Sequence, residues 1–196
     1  MFRKCVLFLT VTLCIWFSFS GVTYAVRLMT REEGLKKVFG EGVEISVEKK
    51  DLVDPQLSKI RERLDGSLVY FQKGSKSANV ECQNCVEFNF AMKDGNKTGV
   101  AIFDEEPGKW GPVEFIIALD LNGVVTRVEV LNYEEKRGQP IARHSYMSQY
   151  ESKTSKSALT VGKDITGVSG ATISSRCATF AVKKAIVLYE ELYLNK

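Results

Sequence analysis

Apolar and β-branched residues are concentrated in the middle of the chain, in two neighbouring runs that predict a β-hairpin. The runs cover Val113–Leu121 and Val124–Tyr133, and Asn122-Gly123 joins them. An Asn-Gly pair between two such runs is the strongest short-range signal for a hairpin turn. We therefore predict two adjacent antiparallel strands here.

Shorter runs of the same kind precede the hairpin and predict further strands. The predicted strands are Val43–Val47, Ser67–Phe71, Val86–Met92 and Gly99–Phe103. Polar, turn-forming residues follow the last of them, so Asp104–Gly108 is predicted to be a loop. Because short turns join the later strands, we expect a largely antiparallel sheet.

Helix signals occur near both ends of the chain. Thr30 and Glu33 form a capping box for a helix that ends near Phe39. The other predicted helices begin at Asp54-Pro55 and end at Gly66, cover Ala142–Tyr150, and run from Arg176 to about Leu194 with Ser174 or Ser175 as N-cap. These elements predict an α+β fold with a single domain, in which helices flank the sheet.

The first 25 residues have the pattern of a signal peptide. Arg3-Lys4 is basic, Val6–Phe19 is apolar, and small residues at Thr23 and Ala25 suit cleavage after Ala25. An uncleaved membrane anchor is the alternative for residues 1–25. Either reading predicts a periplasmic or otherwise extracytoplasmic domain, with membrane association possible.

Charge and residue types exclude several classes of function. The formal net charge is +3, which gives no reason to expect a nucleic-acid partner. The single histidine, His144, leaves no set of ligands for a zinc site, and we assign it no role. A serine-hydrolase elbow and a phosphate-binding P-loop both fail on residue identity.

Three of the five cysteines lie beyond the predicted signal peptide. Cys82 and Cys85 have the spacing of a redox pair, and in an oxidising compartment a structural disulfide between them is the favoured prediction. A second redox couple is the alternative. Cys177 falls in the last helix, where we expect it to be a small buried residue.

The stretch from Gly167 to Ser175 is rich in glycine and hydroxyl side chains and leads into the last helix. Glycines permit a tight turn and close approach to a ligand. A helix N-terminus favours a phosphate because its N–H groups are free and carry partial positive charge. This stretch is therefore a candidate anion site, with Thr172 beside it.

Ser169-Gly170-Ala171-Thr172, followed by Ser174, resembles the flavinylation sequence of the FMN-binding domain family. The resemblance continues through Phe103-Asp104-Glu105, Gly111–Phe115, the hairpin and Glu134–Gly138. It implies that residues 106–196 form the FMN-binding core and that residues 26–105 are the N-terminal part of the same domain. It also implies a curved sheet flanked by helices.

The resemblance implies that Thr172 carries FMN through a phosphoester bond. The other implied cofactor contacts are Ser169, Gly170, Ala171, Ser174, Ser175, Trp110, Gly111 and Arg137. The sequence departs from the family where Thr166 occupies the place of an aspartate six residues before the acceptor. Asp164, two residues further upstream, is a candidate to do part of that work.

These expectations describe an exported flavoprotein that carries electrons and has no catalytic residues for a substrate of its own. Its expected partners are a flavin transferase and a redox partner, either a cytochrome, a membrane electron-transfer complex or a reductase. One alternative is a non-catalytic module that holds FMN loosely. Another is a thiol redox protein that uses Cys82 and Cys85.

Overall fold

The computed structural model describes residues 26–70, 85–109, 111–133 and 139–195. These residues form an α+β fold around one antiparallel sheet, as predicted. The predicted signal peptide or anchor, residues 1–25, lies outside the described residues, as do Phe71, Cys82, Trp110 and Arg137. The expectations for these positions stay predictions.

Six strands make up the sheet, and every neighbouring pair is antiparallel. The strands are β1 (Val26–Arg27), β2 (Glu44–Asp51), β3 (Cys85–Lys93), β4 (Asn96–Pro107), β5 (Pro112–Leu119) and β6 (Val125–Tyr133). Their order across the sheet is β1-β6-β5-β4-β3-β2. The predicted hairpin is confirmed as β5 and β6.

The helices are α1 (Arg31–Phe39), α2 (Gln56–Arg63), α3 (His144–Met147) and α4 (Thr172–Tyr189), with 3₁₀ turns at Gln139–Ala142 and Ser148–Tyr150 and a π turn at Glu190–Leu194. The capping box of α1 is confirmed: the Glu33 N–H donates to the Thr30 hydroxyl, and the Thr30 N–H donates to the Glu33 carboxylate. Among the described residues, no helix is both long and apolar enough to cross a membrane.

Helices cover both faces of the sheet. On one face α1 packs against a small cluster formed by Ala101, Ile116, Ala118 and Leu131. The helix lies close to the sheet at Gly34, where a Cβ atom would stand 2.8 Å from the Leu131 Cδ2 atom. The other face carries the main core, which includes α2 and α4.

Helix α4 is the central element of the main core. Ala178, Ala181 and Ala185 are each at most 1% exposed, and these small side chains leave room for the neighbouring strands. Cys177 is fully buried, as predicted, and its thiol donates to the Pro107 carbonyl at 3.3 Å. This contact joins the beginning of α4 to the end of β4.

The hairpin loop is longer than the Asn-Gly pair predicts, because strands β5 and β6 end at Leu119 and begin at Val125. The Asp120 carboxylate accepts hydrogen bonds from the N–H groups of Asn122 and Val124, at 2.9 and 2.8 Å. A side chain that binds nearby backbone in this way replaces the strand ladder with a turn. The prediction was therefore right about the hairpin and wrong about its ends.

Two predictions about neighbouring segments were wrong, for one reason. Residues 67–70 are not a strand, and Asp104–Pro107 is not a loop but the end of β4. The Lys184 ammonium donates to the Leu68 carbonyl at 2.9 Å, and the Tyr70 N–H donates to the Glu106 carboxylate at 2.6 Å. Side chains thus satisfy backbone groups that a strand would pair with another strand.

The predicted helix starts also change. Pro55, not Asp54, is the N-cap of α2, and the Asp54 carboxylate instead accepts a hydrogen bond from the Ser58 hydroxyl. The predicted helix over Ala142–Tyr150 is replaced by α3 (His144–Met147) and a 3₁₀ turn at Ser148–Tyr150, and Ala142 is the last residue of the preceding 3₁₀ turn.

Candidate functional site

The candidate site is the loop before α4 and the first turn of that helix. Gly170 has a positive φ of 78°, which glycine adopts without strain. The Ala171 N–H donates to the Val168 carbonyl at 3.0 Å and closes a tight turn. The turn places Thr172 at the first position of α4, with its side chain exposed.

Helix α4 begins earlier than predicted, because Ala171 is its N-cap and Ser174 and Ser175 already lie in its first turn. Alanine has no polar side-chain atom, so the N-cap residue makes no side-chain capping hydrogen bond. The first turn also contains no acidic residue. This 18-residue helix therefore begins with neither a capping side chain at its N-cap nor an acidic side chain in its first turn.

Ser175 is fully buried and holds the loop to the helix. Its hydroxyl accepts from the Val168 N–H at 3.1 Å and donates to the Ala171 carbonyl at 3.0 Å. Ser174 is also buried, at 1% exposure. Both serines point into the protein rather than to its surface, whereas Ser169 and Gly170 are exposed beside Thr172. The role of each as a cofactor contact stays a prediction.

Gln149 fixes the other end of this loop. Its side-chain oxygen accepts from the Thr166 N–H at 2.8 Å, and its side-chain nitrogen faces the Thr166 carbonyl at 3.4 Å and the Tyr146 carbonyl at 3.1 Å. The side chain of Thr166 itself is exposed. No local sequence pattern pointed to Gln149, because its partner is 17 residues away.

Asp164 shapes the preceding turn. Its carboxylate accepts from the N–H groups of Leu159 and Thr160 at 3.1 and 2.9 Å and from the Lys153 ammonium at 3.1 Å. Burial tends to raise the pKa of Asp164, but these hydrogen bonds outweigh it and hold the pKa below its usual value. The hydrogen bonds of the Asp164 carboxylate are thus used within its own turn. This argues against the prediction that Asp164 does part of the work of the family's aspartate, whose position Thr166 occupies here.

A buried network of hydroxyl groups supports the first turns of α4. The Tyr150 hydroxyl lies 3.1 Å from that of Tyr146 and 2.9 Å from that of Thr179, which donates to the Ser175 carbonyl at 2.8 Å. Tyr150 is fully buried, and burial raises its pKa well above the usual value. The sequence pattern gave no sign of this network.

The turn after β4 is brought to the same end of α4. The Gly108 N–H donates to the Gly111 carbonyl at 3.0 Å, and the Cys177 thiol contacts Pro107 next to this turn. Gly111 therefore lies near the start of the helix, and its role as a cofactor contact stays a prediction. Trp110 and Arg137 lie outside the described residues, so their predicted contacts are untested.

Only one of the two predicted disulfide partners is among the described residues. Cys85 begins β3 and is half-buried, whereas Cys82 is outside the described residues. The disulfide and the thiol redox pair therefore both stay predictions. In the part of the chain that the structure describes, no three potential ligands are grouped so that they could hold a metal ion.

A second group of polar side chains lies further along α4. The Lys184 ammonium contacts the Asp104 carboxylate at 2.7 Å and also pairs with Glu106, and both Lys184 and Glu106 are buried. Burial raises the pKa of Glu106 to about 8; the charge of Asp104 adds to this rise and Lys184 opposes it. Burial disfavours the charge of Lys184, but the two carboxylates outweigh it and raise its pKa.

This buried ion cluster is distant from the loop. Lys184 is twelve positions after Thr172, which corresponds to roughly 18 Å along a helix. Asp104 and Lys184 line a cavity of about 410 Å³, beside the point where pairing between β3 and β4 stops at Phe88 and Ile102. The Asp104 Oδ2 atom is buried there without a hydrogen-bond partner.

The start of α4 fits the phosphate end of FMN. The N–H groups of a first helical turn have no acceptor within the helix, and here the N-cap residue Ala171 offers them no side-chain acceptor. A dianionic phosphate beside Thr172 would supply that acceptor and complement the positive end of the helix. The Thr172 side chain is exposed, and the loop is also open at Gly170, where a Cβ atom would meet no atom within 4 Å.

Comparison with known proteins agrees with this reading. Residues 108–187 match the sequence model of the FMN-binding domain family. The G subunit of the proton-translocating ferredoxin:NAD(+) oxidoreductase complex of Clostridium ljungdahlii is 31% identical over 106 residues, which cover 50% of this chain and 57% of that protein. The match thus spans little more than half the length of this relative.

Among solved structures, the crystal structure of Shewanella oneidensis NqrC is similar at 17% identity, with a TM-score of 0.48. The superposition covers 81% of this chain and 84% of that chain. The family match extends from the turn after β4 to the second half of α4 and includes the loop described above. Residues 108–187 of this chain therefore match the FMN-binding domain family, and this match indicates FMN as the cofactor of the domain.

Proposed function

We propose that this chain is an exported electron-carrying flavoprotein whose FMN is joined to the Thr172 hydroxyl by a phosphoester bond. The observation that carries the proposal is the exposed Thr172 at the first position of a helix whose N-cap, Ala171, has no side-chain acceptor for the helix N–H groups. The family match supports FMN as the group attached there. When bound, FMN supplies the capacity to accept and release one or two electrons.

The proposed attachment is a phosphoryl transfer to the protein. The Thr172 Oγ atom forms a bond to the phosphorus of the FMN part of FAD, and the bond from that phosphorus to the AMP part breaks. AMP leaves with the bridging oxygen, and the hydroxyl proton passes to a base of the flavin transferase. No oxidant or reductant is required, and the protein contributes an accessible hydroxyl beside N–H groups that stabilise the phosphate charge.

We further propose that the domain works outside the cytoplasm with a membrane electron-transfer complex. The signal-like residues 1–25 support export or anchoring. The name of the Clostridium ljungdahlii relative, as part of an oxidoreductase complex, supports a complex of that kind as the redox partner. The same residues 1–25, if uncleaved, would keep the domain at the membrane surface.

Intact-mass measurement of the denatured protein tests the covalent bond. The full chain is co-produced with an extracytoplasmic flavin transferase in an exporting host. Wild type should gain the mass of one FMN less one water, and Thr172→Ala should gain nothing. Thr172→Ser keeps the hydroxyl and should restore attachment, and Thr166→Ala is the matched control because that exposed threonine in the same loop should be dispensable.

The same samples separate the alternatives. A wild-type mass without FMN, beside a second substrate protein that the same transferase does modify, overturns the covalent proposal. Yellow absorbance that is lost on denaturation and desalting would then indicate loosely held FMN. Redox activity that is lost in Cys85→Ser but not in Thr172→Ala would favour the thiol alternative.

A further inference from the structure

Gln149 connects the attachment loop to the preceding segment through both polar atoms of its side chain. The loop here means residues 166–171, between the turn held by Asp164 and the first residue of α4. The amide oxygen of Gln149 accepts from the Thr166 N–H at 2.8 Å, and its amide nitrogen faces the Thr166 carbonyl at 3.4 Å. A side-chain amide can pair with one residue's N–H and C=O together because it has a donor and an acceptor side by side.

The loop is therefore held at both ends. Gln149 holds its first residue, and Ser175 holds Val168 and Ala171. Between them, Gly167 lies against Val161: a Cβ atom on Gly167 would stand 2.8 Å from the Val161 Cγ1 atom. With these points fixed, little backbone freedom is left before Thr172.

The side chain of Gln149 that connects to the loop is also uncharged. The amide of Gln149 is neutral, so it adds no negative charge to a loop that is to meet a diphosphate. The two hydrogen bonds to Thr166 thus fix the loop without adding a carboxylate that would repel the incoming phosphate.

We propose that Gln149 is a positioning residue for flavin attachment, which fixes the loop so that the Thr172 hydroxyl meets the FAD phosphorus in the reactive orientation. The inference rests on the proposed function, because it concerns the same transfer to Thr172. Gln149 acts through the loop backbone and does not touch the reacting atoms. Misplacement of a reacting group by about 1 Å can lower a rate by about a hundredfold, so loss of the tether should slow attachment strongly.

The test compares two variants of similar shape in the full-length protein. Gln149→Met keeps the length of the side chain and removes both hydrogen bonds to Thr166, together with the one to the Tyr146 carbonyl. Lys153→Met is the matched control, because it removes a tether from the same segment to Asp164 rather than to the loop. We measure the initial rate of FMN attachment by purified transferase and FAD, per mole of folded acceptor, together with hydrogen exchange at the Thr166 amide.

Gln149→Met should lower the attachment rate by about ten- to a hundredfold and raise exchange at Thr166, whereas Lys153→Met should stay within about twofold of wild type. Gln149→Glu keeps the acceptor for the Thr166 N–H, so it should restore protection of that amide and recover part of the rate. This partial rescue separates positioning from a general loss of stability.

Three results overturn the inference: an unchanged rate in Gln149→Met, an equal loss in Gln149→Met and Lys153→Met, or restored Thr166 protection in Gln149→Glu without recovery of rate. If Gln149→Met does not fold, Gln149→Glu decides the question by the last criterion, with wild type and Lys153→Met as its references. Failure of the proposed function is distinguishable, because then neither wild type nor Thr172→Ala acquires any FMN.

Discussion

The two halves of α4 are held in contrasting ways. At its start, neutral groups hold an exposed loop: the Ser175 hydroxyl and the Gln149 amide bind backbone atoms, and the N-cap Ala171 has no capping side chain. In its second half, Lys184 is buried between two carboxylates and also donates to the Leu68 carbonyl. Hydrogen bonds of neutral groups therefore hold the loop, and a buried ion cluster holds the second half of the helix.

The start of α4 is suited to binding a phosphate, and the ion cluster in its second half is suited to stabilising the fold. A capping carboxylate at the start of α4 would stabilise the helix, but it would occupy the position that suits a phosphate. The ion cluster stands in place of a strand ladder, since it fixes residues 67–70 against β4 through the Leu68 carbonyl and the Tyr70 N–H. Substitutions in the cluster should therefore change stability, and those in the loop should change attachment.

The largest effect on stability is expected from Lys184→Met. The substitution leaves Asp104 and Glu106 buried without their cation, and removal of one partner of a buried ion pair costs about 3–5 kcal/mol. Chemical denaturation at pH 7 measures the loss. The neighbouring Lys183→Met is the matched control, because Lys183 pairs with Asp65, whose side chain is 87% exposed. That control should cost less than about 1 kcal/mol.

Equal losses in the two lysine variants would contradict the contrast between a buried cluster and a surface pair. The folded Lys184→Met protein should also still acquire FMN. A loss of attachment at a temperature where the variant is fully folded would mean that the two ends of α4 are coupled.

The next largest effect is a dependence of stability on pH that Glu106 introduces. Its pKa is raised by burial from 4.5 to about 8, with the nearby Asp104 charge adding to the rise. The folded protein therefore holds a proton that the unfolded chain releases at lower pH. The resulting stability is fully present below pH 4.5 and is lost as the pH rises through about 8. The Tm should fall by roughly 5–10 °C between pH 5 and 8.

Glu106→Gln should flatten this part of the curve, because the amide does not titrate. Asp104→Asn tests the second cause: without the like charge, the pKa of Glu106 should be lower and the decline in Tm should begin at lower pH. A Glu106→Gln curve as steep as that of wild type would assign the pH dependence to another group.

The sequence predicts most of the fold where the signals are local. The capping box of α1 and the hairpin of β5 and β6 need only residues within a few positions, and both are confirmed. The errors occur where distant side chains decide the backbone. Residues 67–70 look like a strand until Lys184, 116 positions away, binds the Leu68 carbonyl. The sequence likewise predicts a loop at the acidic end of β4, because it does not show that Glu106 pairs with the same lysine, 78 positions away.

The candidate site shows the same division. Thr172 and its small neighbours were identified because they are consecutive in the chain, and their resemblance to a family motif led to FMN. The start of α4 was placed too late, since serine is the better N-cap by propensity but Ser175 is needed beneath the loop. Gln149 and the tyrosine network have no local signature, because their partners are 17 to 29 residues away.

The smallest effect, and the sharpest check on the contrast, is expected from Ser175→Ala. The substitution removes the acceptor for the Val168 N–H and the donor to the Ala171 carbonyl without opening a large cavity. Loss of such neutral hydrogen bonds costs about 1–2 kcal/mol, less than the loss of Lys184. Because no charge is involved, the difference from wild type in the free energy of unfolding should be the same at pH 5 and pH 8.

Ser169→Ala is the matched control, because that serine lies in the same loop but is exposed, and its loss should change stability by no more than about 0.5 kcal/mol. Denaturation of the three proteins at both pH values gives the answer. If the loss of unfolding free energy in Ser175→Ala is larger at pH 8 than at pH 5, the ion cluster in the second half of α4 is coupled energetically to the start of the helix. A constant loss would show that the attachment end is held independently of the ion cluster.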